Sequence, residues 1–128
     1  MTTRHEFSDT PALLVDLDVL EANLAEMARI ATSAGVRLRP HVKTHKSPWL
    51  AQCQIGLGAC GVTVARLGEA EVMAAAGITD IRIVYPIIGL AKLNRLAQLM
   101  RKVHISVALD SYEAAECISR MAADTGQA

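Results

Sequence analysis

The segment Arg39-Pro40-His41-Val42-Lys43-Thr44-His45-Lys46 brings five side chains able to carry positive charge into one short stretch. A lysine among other cations, and partly withdrawn from water, gives up its proton more readily than a lone surface lysine. The free amine is then a nucleophile towards carbonyl carbon. Lys43 and Lys46 both qualify by type. His41 stands one pleat repeat before Lys43, where it would orient the lysine, contact a bound cofactor, or pack as an ordinary hydrogen-bonded histidine. His45 would contact a ligand or cap the next helix. In extended backbone Arg39, His41 and Lys43 share one face, and burying such cations without counter-charge costs on the order of several kcal/mol each. Turned into a barrel interior, such a face calls for something anionic or a solvated cavity, and a phosphate-bearing cofactor would serve. The alternative is a solvent-facing strand end that binds nothing specific.

Other candidates are weaker. Gly56-Leu57-Gly58-Ala59-Cys60-Gly61 matches G-x-G-x-x-G, but a dinucleotide site needs a strand before it and a helix after it, and here the order is reversed. The expected role is a helix C-terminus and a loop into Val62. Thr63, Tyr85 and Asp110 fall near the ends of later strands, where they would line the same mouth or serve turns and caps. Asp110-Ser111 reads as helix-start chemistry. Cys53, Cys60 and Cys117 form no C-x-x-C pair, so neither a disulfide framework nor a zinc knuckle is indicated, and no metal site is assigned.

The elements that must position these residues alternate. Ala12–Leu17 is an apolar run of strand length, and Asp18 with Glu21 reads as a capping pair for a helix that runs to Gly35. Residues 36–43 read as a strand, and Ser47-Pro48 as the start of a short helix ending near Gly56. Strands at 61–65, 81–85 and 104–109 alternate with helices at 68–76, 90–100 and 112–123. Such alternation predicts parallel βα units, and ligands then bind at the C-terminal ends of the strands.

Composition agrees with this architecture and excludes others. The 128 residues carry 13 basic and 13 acidic side chains and are 52% hydrophobic, so there is no electrostatic footprint for nucleic acid or an anionic membrane. Unpaired cysteines, no apolar signal segment and no apolar span free of polar residues and glycine lead to the expectation of a cytoplasmic protein.

Thr10-Pro11-Ala12-Leu13-Leu14-Val15-Asp16-Leu17-Asp18, Leu20-Glu21-Ala22-Asn23-Leu24 and, above all, His41-Val42-Lys43-Thr44-His45-Lys46 resemble the start of the D-threonine aldolase and D-serine dehydratase family. Gly68-Glu69-Ala70-Glu71 and Ala91-Lys92-Leu93 resemble later family segments. The resemblance implies pyridoxal phosphate as cofactor and a Schiff base on Lys43, with D-hydroxy-amino acids as substrates and a lyase reaction in D-amino acid metabolism. His41 and His45 would be cofactor contacts, and Lys46 would have a structural role. Aldol cleavage, elimination of water and alanine-racemase-like racemisation all stay open, as does a non-catalytic half-barrel.

By the same resemblance the fold is α/β, about half of an alanine-racemase-like (β/α)8 barrel. Its N-terminal strand would belong to a β domain that this sequence lacks. Residues 1–9 are then a polar tail and 10–128 a partial barrel domain. An eight-stranded barrel needs roughly 200 residues or more, so an N-terminal fragment is expected, inactive alone. Any divalent metal would lie in the missing domain. Open edges and apolar faces predict self-association or a partner chain that completes the barrel.

Overall fold

In a computed structural model the structure describes residues 10–127. Asp16, in extended conformation, accepts the Val19 N–H on its carboxylate at 3.1 Å and opens helix α1, Leu17–Ser33. The cap thus lies two residues before the expected Asp18, which sits inside the first turn, where its charge meets the helix dipole. The strand expected at 12–17 is not formed. Leu17 is already helical, residues 12–16 have no ladder partner among the described residues, and Leu13 is 95% exposed. An apolar run becomes a strand only where another strand offers its backbone groups. The tail expected at 1–9 lies outside the described residues.

Ser47 accepts the Leu50 N–H at 3.3 Å, and Pro48 occupies the first turn of α2, Pro48–Gly56. Ser47→Ala is expected to cost about 0.5–2 kcal/mol, read from urea unfolding. The chain then alternates as β1 (Val62–Val64), α3 (Leu67–Ala75), β2 (Asp80–Ile83), α4 (Leu90–Met100), β3 (His104–Val107) and α5 (Tyr112–Thr125). The strands form one parallel sheet in the order β1-β2-β3. They are shorter than the sequence pattern suggests, while α4 has the expected bounds.

Strand alternation divides the sheet into two faces. Val62, Val64, Ile81 and Ile83 are fully buried and pack with Leu67, Ala70 and Met73 of α3 and Leu93, Leu96 and Ala97 of α4. Register aligns Thr63, Arg82 and Ser106 in a polar row on the opposite face.

The lysine-bearing segment is not the strand expected at 36–43. It runs parallel to β1 and forms one isolated bridge, His41 to Thr63. Thr63 N–H donates to Pro40 O at 2.7 Å and Val42 N–H donates to Thr63 O at 2.9 Å. The rung before this bridge would need an N–H from residue 40, and proline has none. Cys60 N–H instead takes Leu38 O at 2.9 Å.

Candidate active site

The five cationic groups divide among four environments. Arg39 reaches back to Asp80 at the start of β2, with Nη1–Oδ1 at 2.9 Å and Nη2–Oδ2 at 2.8 Å. The anion that this face demands is therefore Asp80, at the N-terminal edge of the sheet, and the expected common face of Arg39, His41 and Lys43 is split between the two ends. Gly61 leaves room for the crossing: a Cβ there would stand 2.5 Å from both Arg39 Nη1 and the Asp80 carbonyl oxygen.

The Arg39 guanidinium holds the Asp80 carboxyl below the ordinary aspartate value of 3.8. A depressed carboxyl adds stability that is complete above its unfolded pKa and is lost as pH falls through the lower folded value. Asp80→Asn is expected to lower stability by about 1 kcal/mol near neutrality, since solvent screens a partly exposed pair. The variant should also flatten the acid limb of a stability–pH profile, measured by urea unfolding at a series of pH values.

His41 sits at the bridge, half-buried, and its Nδ1 accepts the Lys43 backbone N–H at 3.2 Å. Burial, and then the neighbouring Lys43 charge, push the imidazolium below its usual range, with Glu69 opposing. With Nδ1 accepting, the proton of the neutral ring is on Nε2. Lys43 lies in the turn beyond β1's C-terminal side, exposed, with no carboxylate within ion-pair distance among the described residues.

His45 faces α2. Its Nδ1 accepts the Ser47 N–H at 3.0 Å. Its buried Nε2 has no hydrogen-bond partner, and the Gln54 Oε1 is likewise buried and unpartnered. Burial lowers the His45 pKa. Lys46 forms an ion pair with Glu69 at 3.3 Å. A cleft of about 570 Å³ opens beside this pair, lined by Lys46, Arg66, Glu69, Tyr85, Lys92 and Arg95. Thr63 is buried in mid-strand, Tyr85 reaches the cleft, and Asp110 precedes Ser111, the N-cap of α5.

Sequence reasoning missed Asp80, gave Glu69 no role beyond a family segment, and read Gly61 only as loop and strand start. The need for an anion near Arg39 was visible. Its source, 41 positions along the chain, was not. Among the described residues there is no group of three or more metal-ligating side chains, and no helix is long and apolar enough to cross a membrane.

Residues 15–128 match the family described as alanine racemase, N-terminal domain. The chain is 47% identical over 103 residues to a D-threonine aldolase of Arthrobacter sp, covering 80% of this chain and 27% of that protein. It is 42% identical over 122 residues to the D-threo-3-hydroxyaspartate dehydratase of Delftia sp. (strain HT23), covering 94% and 32%. The crystal structure of D-threonine aldolase from Filomicrobium marinum superposes with a TM-score of 0.90 at 44% identity, over 93% of this chain and 32% of that one. The chain thus spans about a third of the length of the relatives it matches.

Proposed function

The chain belongs to the alanine racemase N-terminal domain family, and from that premise we propose that it is the lysine-bearing part of a pyridoxal-phosphate-dependent lyase for D-hydroxy-amino acids. Lys43 is the residue that holds the cofactor's aldehyde. One observation carries the reading: of the two lysines in the turn, Lys46 is paired with a carboxylate and Lys43 is not. An exposed amine without a counter-ion is the donor that an aldehyde requires, so the residues present fit the cofactor. The matched relatives are named for D-threonine and 3-hydroxyaspartate chemistry, which supports the substrate class.

When bound, pyridoxal phosphate supplies an electron sink conjugated to the substrate Cα. The chain's own residues do the rest. His41 fixes the Lys43 backbone through Nδ1 and keeps its Nε2–H as a donor towards cofactor or substrate. His45, engaged with Ser47 and facing Gln54, holds the turn against α2 and so positions the lysine. With cofactor and substrate bound, Lys43 would be the amine placed to move a proton at the substrate Cα. On the same reading residues 10–128 are part of a barrel domain, and the exposed Leu13, Leu14, Leu109 and Tyr112 meet further strands or a partner chain.

The test is to mix the chain with pyridoxal phosphate, reduce with borohydride and map the labelled peptide. A single label on Lys43 is expected. Labels scattered over the lysines, or concentrated on Lys46, would overturn the assignment.

A further inference from the structure

Lys43 and Lys46 lie in one turn and both side chains reach solvent, so exposure alone does not select between them. Glu69, in the first turn of α3, has a side chain only 13% exposed and holds two groups at once. One carboxylate oxygen is 3.3 Å from Lys46 Nζ. The other accepts the Ala65 N–H at 2.9 Å.

The second bond stands where the parallel ladder would have continued. The rung after His41–Thr63 would join Ala65 N–H to Val42 O. Instead the carboxylate takes Ala65 N–H, and Val42 O accepts Lys46 N–H at 2.8 Å. The chain is thereby released into the turn that carries Lys43. Lys46 closes that turn at φ 51°, a left-handed conformation that a residue with a Cβ rarely adopts unless its surroundings hold it there. The Lys46 N–H bond to Val42 O, the ion pair to Glu69 and the Ser47 cap of α2 surround it.

We propose that Glu69 is a positioning residue that shapes the turn for Lys43 and withholds Lys46 from reaction, an inference that rests on Lys43 being the reacting lysine. An amine tethered on a carboxylate must leave it before it can meet an aldehyde, whereas Lys43 has no such partner to leave.

Glu69→Gln keeps an oxygen for Ala65 N–H and removes only the charge. In the labelling experiment with pyridoxal phosphate and borohydride, the ratio of Lys46 to Lys43 label should rise about two- to fivefold in this variant, the range set by an exposed ion pair. A second measurement needs no substitution. Raising the salt concentration should raise the same ratio in the unaltered chain and leave it flat in Glu69→Gln, because salt screens only a charged pair. If the unaltered chain labels at Lys43 but neither substitution nor salt moves the ratio, the role of Glu69 is overturned while Lys43 stands. If the unaltered chain does not label at Lys43, the premise itself fails, whatever the Glu69 variant does.

Discussion

Lys43→Met is expected to abolish the site-specific pyridoxyl label while leaving the fold intact. Methionine keeps much of the length of the side chain and removes the amine. His41 accepts its hydrogen bond from the Lys43 backbone rather than from the side chain, so the turn keeps its anchor. Lys43 is also exposed, and unfolding free energy should stay within about 0.5 kcal/mol of the parent. In any assembly that turns over substrate, loss of the nucleophile should cost about three orders of magnitude or more. Lys43→Arg separates charge from reactivity, because a guanidinium retains its proton under all ordinary conditions. It too should fail to label. A labelled Lys43→Arg chain, mapped elsewhere in the turn, would move the chemistry to another amine.

The second large effect is expected at Gly61→Ala. The backbone there has φ 141°, where a side chain is strained, and the new methyl carbon would lie 2.5 Å from the Asp80 carbonyl oxygen. That oxygen belongs to β2 and is fixed by the sheet register, so relief must come from parting β1 and β2 or from expelling Arg39. Strain and overpacking together should destabilise by about 2–4 kcal/mol, seen as a lower urea midpoint. Labelling at Lys43 should slow in parallel, because the Arg39–Asp80 pair ties the lysine-bearing segment to β2. Full stability in this variant would show that the segment has another anchor.

Legibility in the sequence followed locality. Ser47-Pro48 announced α2 because a cap and a proline act on their own first turn, and Leu93, Leu96 and Ala97 announced α4 because a helix buries one stripe. The His41-to-Lys46 stretch was legible for the same reason: its chemistry is contiguous. Strand formation at 12–17 and 36–43 was misjudged because pairing depends on a distant backbone. No strand among the described residues lies beside 12–17, and Pro40 withholds the N–H that a second rung at 36–43 would use. Asp80, Gly61 and Glu69 became part of the site only when the parallel register and the β1–α3 connection laid them beside Arg39 and Lys46. Nothing in their own neighbourhoods says which distant residue each will meet.

The isolated bridge between His41 and Thr63 has a consequence in time. Ile81 and Ile83 are bonded into ladders on both sides, while around the buried Val42 side chain the segment with Pro40 has few backbone bonds and one ion pair. Amides fixed by few contacts open locally, at free energies well below that of global unfolding. The Lys43 amide, exposed and bonded to the His41 ring rather than to a strand, should therefore exchange with deuterium much faster than those of β2. The lysine is mounted on the part of the sheet that breathes, so it has freedom to move between two bonded partners while the apolar layer behind it stays closed.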